Sequence, residues 1–302
     1  MTQQPWRGIF VIVVTPFTAG YELDEASLRQ QIRFCIEAGA HGLVGPANAS
    51  EFATLSDDER KRWIEIVVSE AAGQIPVVAA TTAGHSLPAV ALSRWAQQIG
   101  ADGVMAMPPH VLHPEPEGCY AYYAALSAAL AIPICVQNFP SPIGTPMSSQ
   151  LVGRLCRELP HVDYIKEETL PEPRQISATL AAAGAACKGI FGGQGGIYLL
   201  DEYRRGCHGN MPACQATDVH VAIWNKLEAG DEAAGPDLDL HVLAAPIAEP
   251  RHRDRTSRRR RRQGCAAARR QRGNARASRG PHGTDRSGPG GGFHLFDDRR
   301  GR

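Results

Sequence analysis

One residue with chemical potential stands out, Lys166, which follows an apolar run within residues 164–168 (YIKEE). The first 250 residues contain three other lysines: Lys61, Lys188 and Lys226. Lys61 and Lys226 fall in helical patterns, and Lys188 precedes an apolar run, so none of them shares this setting. Burial disfavours the charged form of a lysine and leaves a free amine that can attack a carbonyl carbon. The alternative is a structural ion pair with Glu167 or Glu168.

Strand-like and helix-like segments alternate along the first 230 residues, which is typical of parallel strands joined by crossover helices. The predicted strands are 8–15, 41–47, 75–82, 101–107, 132–137, 162–167, 186–191 and 207–212. Asp24 and Ser56 have the residue types that begin helices. Eight such units in about 230 residues predict an α/β fold, the (β/α)8 or TIM barrel. An open doubly wound sheet is the alternative, but no G-x-G-x-x-G follows the first strand.

In a barrel of this kind the active site forms at the carboxyl ends of the strands. Lys166 lies at the end of predicted strand six, and therefore at that face. Strand side chains alternate in direction, so Glu168 points to the same side as Lys166. Glu168 is the candidate acid/base, and a salt bridge to Lys166 is the alternative interpretation.

Several segments resemble the dihydrodipicolinate synthase / N-acetylneuraminate lyase family. They are residues 8–17, 51–60, 100–109, 164–167 and 206–209, in the family's order. The resemblance extends over about residues 7–230. It implies a Schiff-base lyase in which Lys166 forms an imine with the keto carbon of a 2-oxo acid, with no metal and no organic cofactor.

The carboxylate-binding loop departs from the family pattern. The common Gly-Thr-Thr-Gly-Glu reads ANASE at residues 47–51. The resemblance implies that Asn48, Ser50 and the backbone of Ala49 bind the substrate carboxylate. The remaining expected substrate contacts are Gln137, His110, Gly192, Gly193 and Met211. His110 and the glycines have a plain loop role as their alternative.

Other departures narrow the expected reaction. Gln137 stands where the family has its relay tyrosine, and an amide cannot act as a general acid near neutral pH. Residues 140–144 (PSPIG) replace the arginine that binds the second substrate in true dihydrodipicolinate synthases. These departures argue against dihydrodipicolinate synthase proper. The Asn-x-Ser-Glu loop at 48–51, Gln137 and the Lys-x-Glu at 166–168 resemble the 2-keto-3-deoxy sugar acid dehydratase branch, and this resemblance implies a 2-keto-3-deoxyarabonate-like substrate. A pyruvate-dependent aldolase, a dihydrodipicolinate synthase and a catalytically dead barrel remain alternatives.

Charge divides the chain into two parts. Residues 1–250 carry 15 basic and 27 acidic side chains, whereas residues 251–302 carry 17 arginines and 4 aspartates. We expect a barrel domain at 1–234 and, at 235–302, an Arg-rich disordered tail in place of the family's C-terminal helical subdomain. The tail resembles a GC-rich gene translated out of frame, so we hypothesise a frameshift near Gly235. Nucleic-acid binding by the tail is the rival hypothesis, and we do not favour it.

The sequence also bounds the location and the partners. No apolar run reaches the roughly 18 residues that span a bilayer, and residues 1–7 do not resemble a signal peptide. The cysteines form no C-x-x-C pair, which favours reduced thiols in the cytoplasm. The expected partner is a small-molecule 2-keto acid, without membrane or nucleic acid. The family resemblance implies a homo-oligomer, a tetramer, if the C-terminus is intact.

Overall fold

Residues 5–231 are those that the structure, a computed structural model, describes. Their eight parallel strands follow one another around a closed barrel, and the last pairs with the first. The strands are β1 Gly8–Ile12, β2 Gly42–Gly45, β3 Val77–Ala80, β4 Gly103–Ala106, β5 Ile134–Asn138, β6 Val162–Glu167, β7 Gly189–Gly192 and β8 Gly209–Asn210. The predicted TIM barrel is confirmed.

One helix follows each strand in the described part of the chain. The helices are α1 Glu25–Glu37, α2 Asp57–Ala71, α3 Ser86–Gln98, α4 Pro116–Ala129, α5 Ser149–Glu158, α6 Glu172–Ala183, α7 Leu199–Arg204 and α8 Thr217–Glu228. Asp24 caps α1 by accepting the Ser27 N–H at 3.0 Å. Ser56 and Glu59 cap α2 reciprocally, Ser56 Oγ accepting the Glu59 N–H at 3.2 Å. Both caps stand where the sequence predicts them.

The eighth strand lies very close to the first strand, with which it closes the barrel. Its predicted range is 207–212, whereas the regular part is only Gly209–Asn210. A side chain at Gly209 would lie 1.9 Å from the Gly8 carbonyl oxygen and would also meet the ring of Phe191. The backbones of β8 and β1 therefore approach closely only because residue 209 is glycine.

The strand side chains divide into two layers. Those directed inward pack with one another in the barrel interior, and they include Phe10, Met105, Cys135, Tyr164, Phe191 and Met211. Those directed outward pack against the helices in two further clusters. Among residues 5–231, no helix is long and apolar enough to cross a membrane. The predicted tail, 235–302, and the hypothesised frameshift near Gly235 lie outside the described residues.

Candidate active site

Lys166 lies inside the barrel near the carboxyl end of β6. Its side chain is buried, and its strand neighbours are Gln137 on β5 and Phe191 on β7. Tyr164, two residues earlier, also points inward and stacks on Trp6 with ring centroids 4.2 Å apart. The Lys166 amine therefore lies beyond the stacked rings of Tyr164 and Trp6, at the carboxyl end of the barrel where the loops that follow the strands meet.

Glu168 is the acidic partner of Lys166. Its Oε2 lies 3.1 Å from Lys166 Nζ and accepts a hydrogen bond from Gln137 Nε2 at 2.9 Å. Its Oε1 accepts the backbone N–H of Gln194 at 3.3 Å. The expected inward direction of Glu168 is thus observed, and the salt bridge that was its alternative is formed. At this distance a proton can also pass directly between the two groups.

The loop after β7 approaches Glu168 through glycine. A side chain at Gly193 would lie 2.3 Å from Glu168 Oε1, and one at Gly192 would lie 2.0 Å from Glu202 Oε2 on the other side of the strand. Gln194 donates from its Nε2 to the Glu168 carbonyl oxygen at 3.0 Å. Sequence reasoning predicted the two glycines as substrate contacts; in the structure they let this loop pass between two carboxyl groups.

The loop after β2 contains Asn48, Ala49 and Ser50 in a single 3₁₀ turn. The Ser50 hydroxyl is buried, donates to the Val13 carbonyl at 2.6 Å and accepts the Ala47 N–H at 3.1 Å. This hydroxyl stabilises the loop in the structure. Asn48 is half-buried, with Nδ2 4.0 Å from Met107 Sδ, and Ala49 is exposed. The first N–H groups of such a turn have no acceptor within it.

Two other predicted contacts have different surroundings. Met211 is buried with the inward-facing cluster, and its N–H donates to the Gly192 carbonyl at 2.9 Å. His110 packs edge-on against Phe52, with centroids 5.5 Å apart. Burial, and then the neighbouring Arg60, lower the pKa of His110, and its buried Nδ1 has no hydrogen-bond partner within residues 5–231. The structure brings neither residue into hydrogen bonding with Lys166 or Glu168.

Three buried polar residues behind β7 were missed from the sequence: Glu172, Glu202 and Asn210. Glu172 Oε1 accepts the Gly193 N–H at 2.7 Å, and Asn210 Nδ2 donates to Glu202 Oε2 at 2.9 Å. Burial, and then the adjacent Glu172 carboxyl, raise the pKa of Glu202 to about 10. Both glutamates lie in the first turn of a helix, where acidic residues usually face solvent, so their types and positions gave no signal of burial.

The closed barrel, with a buried lysine and glutamate at the carboxyl end of β6, defines an α/β-barrel enzyme. The chain belongs to the dihydrodipicolinate synthetase family, whose sequence pattern matches residues 5–235. The family resemblance given by residues 8–17 and 164–167 is thereby confirmed. The curated relatives that match are named as enzymes, a dehydratase and several synthases.

Curated relatives carry two different names. The chain is 38% identical over 208 residues to L-2-keto-3-deoxyarabonate dehydratase of Azospirillum brasilense, covering 68% of this chain and 67% of that protein. It is 34% identical over 248 residues to 4-hydroxy-tetrahydrodipicolinate synthase of Bradyrhizobium diazoefficiens, covering 80% of each. The match spans 56% of the Nitratidesulfovibrio vulgaris (strain DP4) synthase at 38% identity. Identity alone therefore does not choose between the two reactions.

Solved structures agree with the architecture. A crystal structure of dihydrodipicolinate synthase superposes with a TM-score of 0.74 at 26% identity, covering 78% of this chain and 81% of that chain. The Thermotoga maritima enzyme gives the same TM-score at 23% identity, covering 81% and 86%. The second of these likenesses shows the fold alone.

Proposed function

We propose that this chain is a Schiff-base lyase that dehydrates a 2-keto-3-deoxy sugar acid, with Lys166 as the nucleophile and Glu168 as the acid/base. The observation that carries the proposal is the buried contact between them, 3.1 Å from Nζ to Oε2. Because Lys166 and Glu168 are two positions apart, both side chains point into the barrel interior. Little water reaches this interior, so a proton can pass directly between them.

Imine formation begins from this ion pair. Lys166 transfers a proton to Glu168, and the neutral amine attacks C2 of the keto acid while the carbonyl electron pair moves to oxygen. A proton moves from nitrogen to that oxygen and gives a carbinolamine. Glu168 then protonates the hydroxyl, which leaves as water, and the protonated imine forms with Glu168 again a carboxylate.

Dehydration uses the same carboxylate twice. Glu168 removes a proton from C3, which the imine acidifies, and an enamine forms. Glu168 returns the proton to the C4 hydroxyl, which leaves as water, while the enamine electrons form the C3–C4 double bond and restore the imine. Addition of water at C2 releases the keto acid and leaves Lys166 protonated beside ionised Glu168, as at the start.

The surroundings of Glu168 support its double role. Gln137 donates to Oε2 at 2.9 Å and the Gln194 N–H donates to Oε1 at 3.3 Å, so the carboxylate is held in one position. Gln137 stands where the family resemblance expects a tyrosine relay, and an amide cannot exchange a proton near neutral pH. The acid/base work then falls to Glu168. The loop containing Asn48, Ala49 and Ser50 is the proposed site for the substrate carboxylate.

Synthesis of a dipicolinate precursor is the second candidate, because a relative of that name matches over 80% of this chain. That reaction uses a second substrate with its own carboxylate. Residues 140–144 offer no arginine for it, since their sequence is PSPIG. We favour the dehydratase for this reason.

Borohydride trapping tests the proposal. The full 302-residue chain would be incubated with pyruvate, or with 2-keto-3-deoxypentonates, then reduced and digested for peptide mass spectrometry. We expect an adduct on the peptide that contains Lys166, and its loss in Lys166→Met. Lys188→Met is the matched control, because Lys188 is exposed and pairs with Asp163 at 2.9 Å.

Product analysis separates the candidates. Loss of water from the sugar acid without release of pyruvate supports the dehydratase, and release of pyruvate supports an aldolase instead. An adduct that survives Lys166→Met would overturn the assignment of the nucleophile. A folded protein that forms no adduct would favour a catalytically dead barrel.

A further inference from the structure

Two carboxyl groups are buried together behind β7, outside the barrel interior. Glu172 begins α6 and Glu202 lies on α7, and neither has exposed surface (0% each). The oxygens of each are used unequally. Glu172 Oε1 accepts the Gly193 N–H at 2.7 Å, and Glu202 Oε2 accepts from Asn210 Nδ2 at 2.9 Å. Each therefore has one oxygen committed to a neutral donor.

The other two oxygens have no such donor. Glu172 Oε2 and Glu202 Oε1 are buried atoms without a hydrogen-bond partner among the described residues. The two carboxyl groups lie close enough for each to shift the pKa of the other. Two ionised carboxylates would repel each other here, and each bare oxygen would have lost its hydration. One proton between the two oxygens removes both costs.

We propose that Glu172 and Glu202 share one proton and, as a hydrogen-bonded pair, act as positioning residues that hold the loop after β7 against Glu168. The inference rests on the proposed function only in assigning Glu168 the acid/base role. Gly193 connects the carboxyl pair to Glu168. Its N–H donates to Glu172, its carbonyl oxygen accepts from Asn210 Nδ2 at 3.4 Å, and a side chain on its Cα would meet the Glu168 carboxyl group.

The next residue completes the link to the active site. The Gln194 N–H and side chain donate to Glu168 at 3.3 and 3.0 Å, so a shift of this loop changes both bonds. On its far side the loop is held by His220, whose Nε2 lies 3.0 Å from the Gly195 carbonyl oxygen. The carboxyl pair and His220 thus hold the loop from opposite ends. Loss of the pair would release the end nearer Glu168.

The charges around the pair favour a retained proton. Glu168 adds a like charge and Lys166 an opposite one, both from the end of β6. The Cys207 thiol, which precedes β8, is buried, and burial keeps its pKa above the ordinary value. Burial and the two neighbouring glutamates, Glu172 and Glu168, raise the pKa of Glu202 to about 10. The proton then stays bound throughout the neutral range.

Infrared spectroscopy of the full chain tests the shared proton without any substrate. At pH 8 we expect a carboxylic-acid C=O band in the difference spectrum between the wild type and Glu202→Gln. The difference cancels any band from the other buried carboxyl groups, such as Glu167, because both proteins contain them. A wild type that lacks the band, or a Glu202→Gln protein that keeps it, would overturn the shared proton whatever reaction the enzyme performs.

The positioning role is tested by the rate of imine formation with pyruvate. Glutamine at 202 can donate to Glu172 and accept from Asn210, whereas Glu202→Ala can do neither. We expect Glu202→Ala to slow imine formation by about 100-fold, because small displacements of catalytic groups have effects of this order. Glu202→Gln should stay close to the control Glu70→Gln, whose glutamate pairs with Arg29 on the helical layer. Equal losses in Glu202→Ala and Glu202→Gln would overturn the role.

A pH profile separates positioning from simple support of the fold. As the pH rises toward about 10 the wild-type pair loses its proton and repels, but glutamine keeps its hydrogen bonds. The ratio of the Glu202→Gln rate to the wild-type rate should therefore rise with pH, and a constant ratio would contradict the proposal. If imine forms but no sugar acid is dehydrated, the proposed substrate has failed while this test still stands.

Discussion

The two faces of β6 place neighbouring glutamates in different surroundings. On the outer face, Glu167 accepts from Asn138 Nδ2 at 3.1 and 3.0 Å and from the Thr169 N–H at 3.0 Å, and the Thr169 hydroxyl donates to it as well. On the inner face, Glu168 meets Lys166, Gln137 and a loop N–H. Both carboxyl groups are buried, at 0% and 4% exposure.

The difference lies in the partners. The donors around Glu167 are an amide, a backbone N–H and the hydroxyls of Thr169 and Thr179, which do not change charge near neutral pH and so fix the β5–β6 edge. Glu168 faces a lysine, so its strongest bond is one across which a proton can move. Alternation of side chains along the strand decides which glutamate supports the barrel and which can take part in chemistry.

Substitution of Glu168 gives the largest expected effect. Glu168→Gln keeps the size of the side chain and a hydrogen bond but removes the proposed acid/base, so kcat for the proposed dehydration of a sugar acid should fall by about 10³-fold. Borohydride should still trap an adduct on Lys166 at long incubation, since the amine remains. Steady-state kinetics and peptide mass spectrometry check both results. Retained turnover in Glu168→Gln would transfer the acid/base role elsewhere.

Substitution of Glu167 should affect stability instead. Glu167→Ala leaves the Asn138 amide and the Thr169 N–H without their acceptor, and we expect the free energy of unfolding to fall by about 3 kcal/mol. Urea denaturation measures this change. Glu158→Ala, on the exposed end of α5 where Glu158 pairs with Arg154, is the control and should have little effect. A large loss of turnover in folded Glu167→Ala would remove the contrast between the two faces.

The sequence was sufficient for the architecture and for the central pair. Apolar runs alternating with capped helical patterns predict the barrel, and period-two alternation places Lys166 and Glu168 on one side of β6, as observed. Both inferences use local rules that neighbouring strands do not override. The ends of strands depend on partner backbones, and so the short β8 was not predictable.

Other features of the site depend on contacts between distant segments. The Ser50 hydroxyl bonds to Val13, 37 residues away, and nothing in the ANASE segment indicates this. Glu202 lies in the short helix α7, where burial depends on Asn210 and on the missing side chain at Gly192. These contacts join residues that are far apart in the sequence, and the local pattern around one residue does not indicate its partner.

Neighbouring residues of β5 repeat the comparison with a smaller expected effect. Gln137 points inward and bonds to Glu168, whereas Asn138 points outward and bonds to Glu167. Gln137→Leu should lower kcat/KM by about tenfold, the value of one hydrogen bond to a charged group. Asn138→Leu should lower the midpoint of thermal unfolding with less effect on turnover. Steady-state kinetics and calorimetry measure both variants. Equal losses of turnover and of thermal stability in the two would contradict the difference between the inner and outer faces.

The smallest expected effect is the contribution of Glu167 to the pH dependence of stability. Burial raises the pKa of Glu167 above its ordinary value of 4.5, although its hydrogen bonds oppose the shift. A group with a raised pKa in the folded state contributes stability that is complete below pH 4.5 and is lost as the pH rises through the folded-state pKa. Glu167→Gln lacks this titration, so its melting temperature relative to the wild type should rise with pH above about 4.5. Melting curves at several pH values measure the difference. A difference that falls with pH would mean that the hydrogen bonds of Glu167 outweigh its burial and lower its pKa below the ordinary value.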